Sequence, residues 1–235
     1  MPEINIQTLD KLKSWRVLIY GKQGIGKTST AKFIPGKTYV LGFDKSFKVL
    51  AGHLAGAWQI DAKKPIEDLN KWLESFDPTK YDNLVLDDIS NFEKIWFQEK
   101  GRESKNGISN ELQHYSQWTN YFLRFIEWIY DMPLNVYITA WETEHPITTA
   151  SGQQFNQYGP ELRDSVRNVL MGLSDVVGRM IKKPDDGTRG VILDGDEGTY
   201  AKNRLDQRRG CKVEDLFKFQ KSDLDKAVDK VKEKK

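Results

Sequence analysis

Short apolar runs alternate with helical stripes along most of the chain. Trp15–Tyr20 (Trp-Arg-Val-Leu-Ile-Tyr) ends at a glycine and predicts a buried strand. Thr38–Phe43 predicts a second strand, Trp58–Ile60 a short third, Asn83–Asp87 a fourth and Leu134–Ala140 a fifth. Helices fill the intervals. One starts at Lys27 and stops before Pro35-Gly36, and another carries Pro65 in its first turn and runs to about Phe76. Two more cover Asn91–Lys100 and Trp118–Tyr130, where Phe122, Phe125, Ile126 and Ile129 recur at helical spacing, and a last one covers Glu161–Met171. Trp96 and Trp128 fall inside the helical patterns and are assigned to the core. Gly101–Ser116 and Thr143–Pro160 follow neither period and read as long loops, which in a compact domain are usually functional or disordered.

Further along, the pattern changes. Asp175–Lys182, Arg189–Leu193 and Thr199–Arg204 are strand-like, with Pro184-Asp185-Asp186-Gly187 and Gly195-Asp196-Glu197-Gly198 as turns between them. Strand–helix alternation followed by an antiparallel meander predicts an α/β fold with a mostly parallel sheet flanked by helices. The 235 residues suit a single domain over 1–217 with a lysine-rich tail over 218–235. In that tail Leu224, Val228 and Val231 are spaced for a marginal helix. No apolar run approaches the ~20 residues that span a bilayer, and Met1-Pro2-Glu3-Ile4-Asn5 does not resemble a signal peptide, so the expectation is a cytoplasmic protein without a membrane partner. A single cysteine, Cys211, excludes an internal disulfide framework and a cysteine-built metal site, and His114 and His145 are too isolated for a metal. With a net charge of +2, any nucleic-acid contact has to come from local patches.

The chemistry is concentrated in Gly21-Lys22-Gln23-Gly24-Ile25-Gly26-Lys27-Thr28, which matches G-x-x-x-x-G-K-[ST] between a predicted strand and a predicted helix. The glycines let backbone N–H groups turn toward phosphate oxygens, and the helix N-terminus adds its partial positive charge. Gly21–Ser29 is therefore the predicted binding segment for ATP, with Lys27 charging the phosphates and the Thr28 hydroxyl ligating Mg²⁺. Asn83-Leu84-Val85-Leu86-Asp87-Asp88 is an apolar strand ending in carboxylates, and Asp87 is assigned to the Mg²⁺ shell. Two residues compete as the base that orients the attacking water. Asp44 ends the second strand and Asp88 follows the metal carboxylate, and carboxyl strand ends gather at one crevice in a parallel sheet. Asp44 is also suited to cap a short helix over Lys45–Leu50.

Taken together, the loop, the Asp44 and Asp87 strand ends, Ile138-Thr139-Ala140 and the late Ala201-Lys202-Asn203-Arg204 resemble the RecA-type P-loop NTPase core. More narrowly, they resemble the bacteriophage RecA-like single-strand annealing recombinases, over about Trp15–Phe217. The resemblance implies ATP hydrolysis at subunit interfaces of a homo-oligomer, ring or filament, and single-stranded DNA as partner, with a single-strand-binding protein as a further one. It implies that Thr139 senses the γ-phosphate, and that Lys202 and Arg204 act on a neighbour's nucleotide as arginine fingers do. Their spacing puts both on one face of a strand. An ordinary solvated basic edge is the alternative. Two features depart from the family. Asp44 stands where a glutamate is usual, and the strand after Thr139 continues Trp141-Glu142-Thr143.

The same resemblance directs single-stranded DNA to Gly101–Ser116, with Arg102, Lys105, His114 and Tyr115, and to Thr143–Pro160, with His145, Phe155 and Tyr158. Basic side chains interleaved with aromatics suit backbone neutralisation and base stacking, and plain surface loops are the alternative. Helicase-loader or packaging ATPases share the loop and Asp87, and a nucleotide-gated module with little turnover fits the shorter Asp44. A small-molecule kinase lacks support, because the chain has no arginine-rich lid.

Overall fold

Val17, Leu18, Ile19 and Tyr20 are all buried to 0% exposure, which a strand achieves only when both faces of its sheet are covered. The computed structural model of the protein describes residues 12–148 and 151–220. The helix expected around Leu224, Val228 and Val231, like the Met1–Asn5 reading, lies outside them.

The described strands are β1 (Arg16–Gly21), β2 (Thr38–Gly42), β3 (Gly56–Gln59), β4 (Asn83–Asp87), β5 (Asn135–Thr148), β6 (Gln154–Pro160), β7 (Val176–Lys182), β8 (Arg189–Ile192), β9 (Lys202–Asn203) and β10 (Gly210–Lys212). The helices are α1 (Lys27–Thr30), α2 (Pro65–Ser75), α3 (Ile89–Glu103), α4 (Leu112–Tyr130) and α5 (Asp164–Leu173). The sheet order is β10-β8-β7-β1-β5-β4-β2-β3, with β6 paired to β5 and β9 to β7. From β3 to β7 the pairs are parallel, and the additions at β6, β8, β9 and β10 are antiparallel. Such a mostly parallel sheet with an antiparallel extension is the architecture expected of a P-loop NTPase core. Notably, β5 lies between β1, which delivers the phosphate loop, and β4, which delivers Asp87.

Side-chain alternation along the strands divides the core in two. Leu18, Tyr20, Leu84, Leu86 and Ile138 face a cluster filled by Leu69 and Trp72 of α2, Phe92 and Trp96 of α3, Trp118, Phe122 and Ile126 of α4, and Val166 and Leu170 of α5. Val17, Ile19, Val85 and Tyr137 face a second cluster closed by Ala31, Leu50, Leu205, Leu216 and Phe217. The four longer helices thus share one face, while short segments cover the other. Among the described residues, no helix is long and apolar enough to cross a membrane.

Several elements depart from the sequence expectation. The helix at Lys27 is only four residues long and tightens into a 3-10 turn at Ala31–Phe33. Gly101–Ser116 is not a long loop, because α3 runs to Glu103 and α4 begins at Leu112, leaving a short linker. Gly101 admits Ile108 O within 2.7 Å of where a Cβ would stand, and a Glu111/His114 capping box starts α4 one polar turn before its aromatic stripe. Nor is Thr143–Pro160 a loop. There β5 leaves the main sheet and pairs with β6 from Glu142↔Pro160 to Thr148↔Gln154. The third meander strand shrinks to Lys202–Asn203 and returns to Val176 and Val177 of β7, while β10 takes the edge beside β8. The Gly195–Gly198 turn redirects it, bridging Thr199 to Tyr158. Trp128 is not in the core either. It is 39% exposed and lies edge-on to Trp72.

Candidate functional site

The carboxyl ends of β1, β2, β4 and β5 converge on one crevice. Gly24 and Gly26 hold φ of 73° and 109°, a left-handed region that only glycine enters freely, and so the backbone after β1 curls into a loop. Ile25 packs into the second core cluster, and Tyr137 Oη donates to Lys27 O at 2.8 Å, so the loop is pinned from below. Lys27 is buried, and its Nζ donates to Gly21 O at 3.0 Å and Lys22 O at 3.2 Å. Burial lowers its pKa, against the opposing fields of Asp88, Asp87, Glu142 and Asp44.

Asp87 is the centre of a hydroxyl cage. Thr28 Oγ1 donates to it at 2.9 and 3.1 Å, Ser46 Oγ at 2.6 Å and Thr139 Oγ1 at 2.6 Å. Burial raises the pKa of this carboxyl group, and the hydroxyl bonds counter that shift. A divalent cation here would supply the positive charge that a buried carboxylate lacks. The donor set fits Mg²⁺, since Asp87 and Thr28 would offer it hard oxygens. Among the described residues no group of three or more His, Cys, Asp or Glu side chains is disposed for a metal, and this mode of binding requires none.

The two candidate bases differ in setting. Asp88 is buried and caps α3 by accepting from Ser90 N at 2.8 Å. Its pKa is pushed up to about 8 by burial, with Lys27 pulling the other way and Asp87 adding to the rise. Asp44 is half-buried and accepts from Ser46 N at 2.7 Å, but the 3-10 turn over Ser46–Leu50 has Lys45 at its N-cap and no side-chain cap, so Asp44 is not the helix cap foreseen for it. Ser46 thereby connects Asp44 to Asp87.

The sequence reading did not pick out Ser46, Glu142 or Arg179. Ser46 belongs to no motif, and only its distance from Asp87 reveals it. Glu142 sits on β5 one step beyond Trp141, which pairs with Gly21. Arg179 Nε donates to Glu142 at 3.0 Å, and the guanidinium stacks on Tyr158 at 3.5 Å. A cavity of about 610 Å³ opens here beside Lys22 and Gln23, bordered by Trp141, Glu142, Glu144, Tyr158 and Glu161.

Lys202 and Arg204 are not brought to this crevice. Asn203 and Lys202 pair with Val176 and Val177, which are level with Val17 and Leu18 at the start of β1. The pair therefore lies toward the opposite end of the sheet from its own phosphate loop. The proposed DNA-contacting side chains are also dispersed. His114 is buried as the α4 cap, Tyr115 packs on Phe97 beneath Arg163, and Arg102 donates to Lys63 O at 2.7 Å. His145 lies against Arg167, and the hairpin face toward the loop carries Glu142 and Glu144. That charge is of the wrong sign for DNA.

A family model described as an AAA domain matches residues 13–205. No curated protein matches the chain. Similar solved structures include the flagellar accessory protein FlaH from Methanocaldococcus jannaschii, at 11% identity over 84% of each chain with a TM-score of 0.44. Another is a KaiC-like protein from Pyrococcus horikoshii OT3, at 12% identity over 77% of this chain and 78% of that one, with a TM-score of 0.42.

Proposed function

The chain belongs to the AAA-domain family of P-loop ATPases, and from that premise we propose that it is an Mg²⁺-dependent ATPase that acts on single-stranded DNA as a homo-oligomeric recombinase. The observation that carries the ATPase reading is the cage around Asp87, where the loop hydroxyl of Thr28 and the strand hydroxyl of Thr139 meet on one buried carboxylate. Lys27 and the loop N–H groups would bind the phosphates, Thr28 and Asp87 would hold the cation, and Thr139, bonded to Asp87, would sense the γ-phosphate. The cation would neutralise charge on the β- and γ-phosphates. Water would be oriented by Asp44, the better exposed of the two candidates, whereas burial holds Asp88 toward its protonated form.

That choice has a direct check. Asp44→Asn is expected to slow turnover about 10²- to 10⁴-fold, the range of general-base catalysis, with ATP affinity kept. Asp88→Asn keeps the α3 cap, because asparagine caps as aspartate does, and is expected to change turnover far less. Single-turnover hydrolysis of both variants decides between them, and the reverse ranking would make Asp88 the base.

The DNA reading is supported by the late Lys202 and Arg204 pair and by the exposed Arg102 and Lys105 at the α3–α4 linker. The acidic face of the β5–β6 hairpin speaks against that element as the DNA contact. ATP turnover is expected to rise when single-stranded DNA is added without any protein partner, and binding should weaken with salt as counterions are released. Neutralising Arg102 and Lys105 together should reduce the salt slope by about 2. Turnover indifferent to naked single strands but raised by a partner protein would favour a loader-type ATPase.

A further inference from the structure

Arg189 opens β8, directly across the ladder from Lys182 of β7. Its side chain folds back over the phosphate loop. A Cβ built on Gly26 would fall 3.1 Å from Arg189 Cζ and 3.6 Å from Cδ, and nearer still to Nη1. The absence of a side chain at Gly26 therefore opens the groove that this guanidinium occupies. Among the described residues the Arg189 side chain has no ion pair or hydrogen bond, whereas that of Arg179 on the neighbouring strand is held by Glu142 at 3.0 Å. An unpaired guanidinium laid on a loop built for phosphates is half of an ion pair.

The topology says which part of the ligand it meets. From β1 the sheet runs one way through β5 to β4 and β2, which carry Asp87 and Asp44, and the other way through β7 to β8, which carries Arg189. With the terminal phosphate at Asp87, the inner phosphates lie toward the β8 side. We infer that Arg189 binds the inner phosphates of the nucleotide held by its own chain, gripping the anion on the flank opposite the metal. The inference rests on the phosphate-loop reading. It also separates two arginine functions: Arg189 acts in cis on binding, and Arg204 acts in trans on turnover. A planar guanidinium suits the task, because its fork can donate to two non-bridging oxygens at once.

The test is calorimetric titration of wild type, Arg189→Gln, Arg189→Lys and Lys27→Ala with MgATP, MgADP and inorganic tripolyphosphate. Arg189→Gln is expected to weaken all three ligands about 10- to 100-fold, the value of one charge-assisted hydrogen-bonded contact. Arg189→Lys should recover part of that loss. The ratio of ATP to ADP affinity should stay the same, since both ligands carry the inner phosphates. Arg189 is exposed and supports no other group, so the melting temperature of each Arg189 variant should match wild type. Unchanged binding by Arg189→Gln, alongside loss by Lys27→Ala, would overturn the assignment and leave the loop reading intact. A loss restricted to ATP and ADP, with tripolyphosphate unaffected, would also overturn it, by moving the contact to the nucleoside. Failure of the wild-type protein to bind any of the three would remove both readings together.

Discussion

A Lys202→Ala, Arg204→Ala double variant is expected to bind ATP as wild type does and to turn it over about 10³- to 10⁵-fold more slowly, the loss seen when an arginine finger is missing. Binding should survive because both residues lie toward the far end of the sheet from their own loop, level with Val17 and Leu18. In the single subunit, Lys202 donates to Gly172 O at 3.0 Å, and its pKa is pushed down to about 8 by burial and then by Arg204. A lysine whose charge is disfavoured by burial and by a neighbouring guanidinium gains most from an anion supplied by the next subunit. Mixing the double variant with Lys27→Ala checks the arrangement. Each should be inactive alone, while mixed oligomers contain interfaces with an intact loop on one side and an intact pair on the other. Partial recovery of turnover is the expected result. No recovery in mixtures shown to co-assemble would mean that the pair is a structural edge.

The second large effect is at Lys27 itself. Lys27→Ala is expected to lower ATP affinity by more than about 100-fold, as truncating one partner of a desolvated charge pair does. The lysine is not a freely exposed loop residue, because its ammonium is buried and bonded to Gly21 O and Lys22 O. Removing it leaves two loop carbonyls without that donor, so a loss of about 1–3 kcal/mol in stability should accompany the loss of binding. Circular dichroism and a thermal melt separate the two effects, since the variant should remain folded with a lower melting temperature. Normal ATP binding by folded Lys27→Ala would remove the phosphate-loop assignment.

Much of this was legible in the sequence where a local rule and the tertiary environment agree. β4 and the Asp87 strand end follow from an unbroken apolar run, and the loop follows from glycines whose positive φ the structure requires. The two supposed long loops have a common cause, which is polar sequence without clear periodicity taken for loop. Leu112–Ser116 is the first turn of α4, exposed except at His114 and held by a capping box instead of by apolar spacing. Thr143–Thr148 alternates too weakly to read as a strand, yet it inherits its register from β5 and is completed by β6. Ser46, Arg179 and Arg189 were not legible at all. Each matters through a contact across the fold, with Asp87, Glu142 and Gly26 respectively, and none has a neighbour in sequence that signals it.

The separation of Lys202 and Arg204 from the loop of their own chain also constrains how copies can associate. A two-fold dimer can join loop to pair only reciprocally, through one self-complementary patch that spans both the loop and the far end of the sheet. A head-to-tail contact joins one copy's loop to the next copy's pair without that requirement, and it repeats in one direction. Such an array is polar. If it closes, every subunit has a complete site; if it stays open, one terminal subunit lacks a completing neighbour. Specific activity would then climb with protein concentration toward a plateau as the share of incomplete ends falls, and the array would have a distinguishable front and back on any strand it followed.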